Sequence, residues 1–430
     1  MSMVGVIKMI SRIRNNRSLV NGGLFSLFSL INRGFSFLLL LVLANYINPS
    51  EYGYLSLFST VVMLIGYFVA FSTEGYVSVS YFKEKWAGVR KTVSCVFLNS
   101  IIVTAFLLLI LLLLGNSLSR LLSLPLNVLY MSIVISLFTL LLNVYLDIFR
   151  IQEKVKSYGF VSCSNAFLNF GLSIFLIVPL SLGWVGRVYA QMICYVLFGF
   201  IAFSFFIRNK LIKKLDFSHW KVMLLWGMPL IPHLATNFIR QGCDRYIINY
   251  YHSIDDVGIF SFALNLANII IMIGGGFNQS NAVDIFKILG DENMPIKEKE
   301  HHLMKQKSML LKIYTLCAFG AIITVSTFVP FLFPKYTQSV PYFILLAIYA
   351  YFLCIYLLYT NFLFFYEKTK SIMYITFGTS ILHLVLSVLL TGYSLYATCL
   401  IYCITQAIIV WLIRYKAIGT LRCNNINNFI

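Results

Sequence analysis

Twelve times along this chain the sequence runs for about 20 residues with almost no charge, and a run of that length reads as a helix spanning a bilayer. The runs lie near residues 19–47, 53–81, 92–115, 126–147, 157–179, 184–207, 222–251, 257–283, 309–333, 336–364, 371–391 and 393–415. Only 11% of the 430 residues are charged while 60% are hydrophobic, far too little charge to cover a soluble fold of this size. The expected class is therefore an all-α integral membrane protein of about 12 transmembrane helices. The first run, from Leu19, is too long for a secretory signal and lacks a small-residue cleavage site, so it reads as a retained helix.

The formal net charge of +18 has two ordinary sources, nucleic-acid binding and membrane topology, and its distribution separates them. With the N-terminus in the cytoplasm, the segments on that side carry Lys8, Arg12, Arg14 and Arg17, then clusters such as Lys83–Lys91, Arg208–Lys221 and Lys287–Lys312. The opposite loops hold only Arg120, Arg187 and Lys335. That is the positive-inside pattern, so both termini are assigned to the cytoplasm and no nucleic-acid partner is expected. Adjacent His301 and His302 in the polar stretch 290–307 read as a solvated face, and the nine cysteines show no metal-ligand spacing, so no metal and no resident cofactor are expected.

An internal repeat orders the twelve runs. "EKVKS" (Glu153 to Ser157) comes after the fourth and "EKTKS" (Glu367 to Ser371) after the tenth. "INPSEYGYLSLFS" after the first run matches "HSIDDVGIFSFAL" after the seventh, pairing Glu51 with Asp256, Gly53 with Gly258 and Ser56 with Ser261. The same register pairs Gly22 with Gly227 and Tyr46 with Tyr251. An even number of spans per copy gives parallel repeats related by an axis along the membrane normal, an arrangement that commonly holds a substrate near the midplane. The expected organisation is a basic N-terminus (1–18), a six-helix lobe (19–207), a linker (208–221), a second six-helix lobe (222–415) and a tail (416–430).

Ionisable residues inside the runs are the functional candidates, because each costs about 2.5–3.5 kcal/mol at a helix centre. Arg33 lies mid-run in the first span, and its repeat position, Phe238, is two residues from Arg240 in "NFIRQGCDRYIINYY", which also holds Asp244 and Arg245. Guanidinium groups facing a cavity favour an anion, above all a phosphate that Arg holds bidentately. Arg240 and Asp244 stand one turn apart, so mutual neutralisation is the competing reading. Asn32 and Asn237 are candidates to hydrogen-bond a substrate or to bond helix to helix. Glu74 and Asp147 are candidates to carry a coupling H+ or Na+; Glu74 could instead pair with Lys83 or Lys85 or close a kink at Gly75. Pro229 and Pro232, with His233 next to them, are expected to break the seventh span and form a gating segment. His383 reads as a satisfied interior residue. No GxxxxGK[ST] loop is present, so uphill transport would draw on an ion gradient or on consumption of the substrate.

"LANYINPSEYGYLSLFS", "FSTEGYVSVSYFK", "RIQEKVKSYGF" and the long stretch from "WGMPLIPH" to "FALNLANI" resemble the polysaccharide transporter family. That family includes the Wzx-type O-antigen flippases and belongs to the larger group with multidrug exporters and the lipid II flippase. The resemblance spans essentially the whole chain; its motifs specify the family better than the substrate. It implies two six-helix lobes in a V shape, alternating access, a bacterial cytoplasmic (inner) membrane location and no enzymatic activity. It further implies an undecaprenyl-diphosphate-linked oligosaccharide as substrate, with other polysaccharide-assembly membrane proteins as partners beside membrane lipids. Under it Arg33, Arg240 and Arg245 attract the diphosphate and sugar, Asp244-Arg245 matches a recurring Asp-Arg, and Glu74-Gly75 matches an acidic-Gly pair. The competing readings are a cation- or drug-coupled exporter of the same fold and a membrane polysaccharide polymerase, which would be an enzyme.

Overall fold

A computed structural model describes residues 17–424 and 426, apart from 72, 213–214 and 229–230, with the side chains of 17–20, 22–23, 26 and 232–233 also outside the description. Every regular element among them is helical. The helices are α1 (Arg17–Tyr46), α2 (Pro49–Ala70), α3 (Tyr76–Leu122), α4 (Leu126–Ile151), α5 (Val155–Ile177) and α6 (Gly183–Arg208). After them come α7 (Phe217–Gly227), α8 (Ile231–Phe238), a π-helical turn (Ile239–Cys243) and α9 (Asp244–Tyr251). The rest are α10 (Ile254–Gly290), α11 (Ile296–Leu332), α12 (Ser339–Phe365), α13 (Thr369–Leu390) and α14 (Leu395–Cys423). Eleven are long and apolar enough to cross a membrane. The expected seventh span is missing from that set because the π turn leaves α8 and α9 at eight residues each. Phe331 is 83% exposed and Leu316 73%, as suits side chains facing lipid rather than water.

The second and third spans divide differently from the expectation. Helix α2 stops at Ala70, and Phe71 takes φ 49°. Glu74 and Gly75 form a turn, and α3 starts at Tyr76 and kinks at Lys85 (φ 54°, ψ −140°). The expected span 53–81 is thus interrupted, and Glu74 sits in the interruption rather than on a helix.

The repeat is visible at single hydrogen bonds. Glu153 (φ 54°) and Glu367 (φ 55°) both turn left-handed just past a helix end. At the first corner Lys154 N–H donates to Phe149 C=O and Glu153 N–H to Arg150 C=O, at 2.9 and 3.1 Å. At the second, Lys368 donates to Leu363 and Glu367 to Phe364, at 2.8 and 3.1 Å. Both are the same six-to-one, five-to-two closure. The helix starts match as well: the Glu51 carboxylate accepts from Asn48 N–H at 3.0 Å, and Asp256 from Ser253 N–H at 3.1 Å, the second within a full capping box. The paired glycines meet each other's segments. A Cβ on Gly258 would lie 1.8 Å from Pro49 O, and one on Gly53 2.2 Å from Ile254 O, so only glycine permits this approach.

The chain forms two compact units. The first comprises the chain up to Ile47 and Leu57–Ile231, the second Asn48–Ser56 and the chain from Pro232 onward. The boundary therefore falls after Ile231, not in the expected 208–221 linker, because α7 is fastened to the first unit. Asp216 caps α7 by accepting from the Ser218 and His219 N–H groups, the His219 ring bonds Thr92 of α3 at 2.8 Å, and Trp226 packs on Tyr76. Likewise the expected tail begins later, since α14 continues to Cys423. The core of the first unit gathers Val93, Val96, Ile148 and Phe206, all 2% exposed or less. In the second unit Tyr314, Tyr336, Phe260, Phe343 and Phe362 are fully buried.

Candidate functional site: a broken helix with a buried polar network

The seventh span carries the densest polar chemistry in the second unit. The chain leaves α8 at Phe238, widens into the π turn Ile239–Cys243, and resumes as α9 at Asp244. A π turn inserts one residue into the α-helical count and so rotates the side chains C-terminal to it, and such insertions concentrate at functional sites. Gly242 lies buried within the turn.

The competing Arg240–Asp244 pairing is not the arrangement formed among the described residues. The Asp244 carboxylate, 1% exposed, meets His383 Nε2 of α13 at 2.8 Å. Arg240 donates instead to Gln406 Oε1 of α14, and its carbonyl accepts from the Tyr402 hydroxyl at 2.6 Å. Arg245 donates to Ser261 Oγ at 3.2 Å and to Gln241 C=O at 2.9 Å. Among the described residues no ion pair involves Arg240 or Arg33.

The hydrogens of this network can be counted. His383 Nδ1 faces Thr405 Oγ1 at 3.0 Å, and the Thr405 hydroxyl reaches Ile401 C=O at 2.7 Å. The shorter contact takes the single hydroxyl hydrogen, so Oγ1 accepts from Nδ1–H. Nε2 and Asp244 Oδ2 then share one further proton, held either as imidazolium beside carboxylate or as carboxylic acid beside imidazole. Asp244 Oδ1 is buried with no hydrogen-bond partner among the described residues. Asp244 and His383 thus form a buried dyad.

The other candidates fall elsewhere. Asn237 is exposed on α8. Arg33 is exposed on α1 in the first unit, beside a half-buried Asn32 whose Oδ1 has no partner among the described residues. Asp147 pairs with Arg150 on its own helix at 2.8 Å. Glu74 has a buried Oε2 that is likewise unpartnered, no lysine in ion-pair contact, and Asp147 near enough for that charge to act on it. Lys85, one of the partners considered for Glu74, lies over the Tyr81 ring. Pro229 lies outside the described residues; Pro232 and His233 fall within α8, but their side chains do not belong to the description.

Sequence reasoning missed the residues that receive the seventh span. Thr398, Tyr402, Thr405 and Gln406 recur at intervals of three, four and seven along α14, and all are 1% exposed or less. That one-sided polar stripe was the available signal. It also missed Arg187, counted as a loop cation, which is half-buried at the start of α6 and donates to Asn169 Oδ1 and, at 2.8 Å, to Ser173 Oγ of α5.

Comparisons with known proteins agree with this architecture. The chain is 24% identical over 360 residues to an Lsg locus protein of Haemophilus influenzae, covering 83% of this chain and 86% of that protein. Among solved structures it is similar to the lipid II flippase MurJ in an inward closed conformation, with a TM-score of 0.73, 15% identity, and coverage of 91% of this chain and 87% of that one. It is also similar to an inward-facing multidrug resistance MATE family transporter of the MOP superfamily, at TM-score 0.70 and 13% identity, covering 89% and 95%. These likenesses place the fold among multi-pass exporters and flippases. A family described as polysaccharide biosynthesis protein matches residues 18–283, more than half of the 430 residues. The chain belongs to that polysaccharide biosynthesis protein family, in keeping with its Wzx-type motifs.

Proposed function

We propose that this protein is a flippase that moves undecaprenyl-diphosphate-linked oligosaccharide repeat units from the cytoplasmic to the outer leaflet of a bacterial inner membrane, for O-antigen or another surface polysaccharide. The observation that carries the reading is Arg240: a guanidinium on a π turn, bonded to a neutral amide while the adjacent carboxylate is engaged by His383. A cation so arranged keeps its charge for a ligand, and a diphosphate is the group Arg grips best. Arg245, Asn237, Arg33 and Asn32 are the further candidates for diphosphate and sugar contacts. The family match and the lipid-linked substrate named for one structural neighbour support this reading.

The coupling ion under this reading is H+, held by Asp244 and His383. Release of the dyad proton leaves a carboxylate near Arg245, whose charges act on each other, so proton loss and anion loss favour one another. Glu74 and Asp147 remain as a second acidic pair in the first unit, and the piecewise seventh span around Pro229, Pro232 and His233 as the segment that moves.

The test is complementation of cells that lack their own oligosaccharide flippase and make the cognate lipid-linked repeat. Wild type is expected to restore surface polymer and Arg240→Gln to leave the lipid-linked intermediate stalled at normal membrane levels. Failure of the wild type in the cognate background would remove the flippase reading; wild-type behaviour of Arg240→Gln would remove its role in holding the anion.

A further inference from the structure

Helix α11 spans 37 residues, about 55 Å of helix against a hydrocarbon core of about 30 Å. Its N-terminal turns therefore stand clear of the hydrocarbon, in keeping with the polar sequence up to Lys307. From there one stripe runs Lys307, Leu311, Thr315, Phe319, each four residues after the last, beside a second stripe of Ser308, Lys312 and Leu316. The two stripes line a surface groove of about 590 Å³.

The groove changes character along its length. Its mouth is cationic: Lys307 is half-buried, Lys312 is exposed, and Arg414 of α14 is near enough for its charge to act on Lys307. Its far end is greasy, with Leu316 73% exposed and Phe319 63%. Thr315 adds no open polar demand, because its hydroxyl donates to Leu311 C=O at 2.8 Å. Lys307 and Lys312 on the groove lining, with Arg414 acting on Lys307, place positive charge at one end of an exposed apolar track, which favours an anion there. The distance along the helix from Lys307 to Phe319 is about 18 Å, a little more than half the hydrocarbon thickness. That length suits one acyl tail within one leaflet and is short for a long polyprenyl chain.

We infer that this groove holds one anionic phospholipid of the leaflet on the lysine side, its phosphate between Lys307 and Lys312 and an acyl tail along Leu311, Leu316 and Phe319. Basic pockets at the cytoplasmic ends of transmembrane helices recognise lipid headgroups through this combination of charge and apolar surface. The site lies wholly within the second unit and does not depend on which substrate is transported.

The experiment is thermal unfolding of the full chain in mild detergent, titrated in parallel with phosphatidylglycerol, phosphatidylcholine and undecaprenyl phosphate. Phosphatidylglycerol is expected to raise Tm by about 2 °C or more, with the shift shrinking as salt rises. Phosphatidylcholine, of no net charge, is expected to give less than half of that. K307Q/K312Q is expected to lose most of the phosphatidylglycerol shift, and K368Q/K370Q, cationic on the same side but away from the groove, to keep it. Lys312→Gln alone removes an exposed group, so it folds normally and should lose about half. Equal shifts with both phospholipids, or a full shift in K307Q/K312Q or Lys312→Gln, would overturn the assignment. So would a shift with undecaprenyl phosphate and none with phosphatidylglycerol, which would name a different occupant.

Discussion

Helix α1 and the seventh span occupy the same position in the two copies of the repeat, yet one is a single 30-residue helix and the other holds α8, a π turn and α9. The single helix carries an exposed Arg33, while the broken one carries Arg240, Asp244 and Arg245 bonded to α10, α13 and α14. Around this difference the copies agree closely: the Glu153 and Glu367 corners, the Glu51 and Asp256 caps, and the Gly53 and Gly258 contacts have the same geometry. The scaffold was kept twice and one first helix was rebuilt. A departure from symmetry in an otherwise faithful repeat is a stronger pointer to function than any polar residue by itself, because the symmetric copy shows what packing alone would accept.

The comparison is broken most severely by removing the receiver of the rebuilt helix. His383→Ala leaves Asp244 buried without its partner and is expected to destabilise by about 3–5 kcal/mol, read as a fall in thermal unfolding midpoint. Arg33→Ala, on the exposed counterpart, should change the midpoint little while lowering transport if its charge meets the substrate. Next in size are the glycine contacts. Gly53→Ala and Gly258→Ala each force a methyl into a backbone carbonyl and should each cost about 1–3 kcal/mol, with Gly258→Ala the larger, as its Cβ approach is shorter.

A smaller effect separates the units by pH. Burial holds the His219 imidazole below its ordinary pKa of 6.5, so its neutral form is the one the folded first unit accepts. The stability it contributes is full above pH 6.5 and is lost as pH falls through the folded value. Loss of protection of the α7 amides in hydrogen exchange is expected on acidification, and His219→Gln, which keeps a bond to Thr92, should flatten that response. The smallest expected change is a gain: Glu367→Gly relieves a left-handed non-glycine residue and should stabilise by about 1 kcal/mol, and Glu153→Gly by less, because it also deletes the Glu153 carboxylate that accepts from Asn21. Equal gains would show that the Asn21 bond to Glu153 contributes nothing to stability.

Much of this was legible in the sequence. Apolar run length located eleven helices, and the EK pentapeptides marked corners that close with the same hydrogen bonds. The π turn was not legible, since Ile239–Cys243 carries no residue that demands a widened turn and the partners of Asp244 and Arg240 lie far along the chain on α13 and α14. His383 looked like a contented interior histidine for the same reason: its role depends on a carboxylate 139 positions away. Glu74 and Asp147 drew attention as acids in apolar surroundings, but Asp147 is neutralised three residues along its own helix, a geometry that spacing allowed and composition concealed.

The most direct measurement is translocation of a lipid-linked oligosaccharide in proteoliposomes with and without an imposed pH gradient, comparing wild type with Asp244→Asn. A wild-type rate that rises with the gradient, and an Asn variant that inserts normally but is indifferent to it, is the expected result. A wild type indifferent to pH, or an Asn variant that still responds, would contradict proton storage at Asp244 and His383.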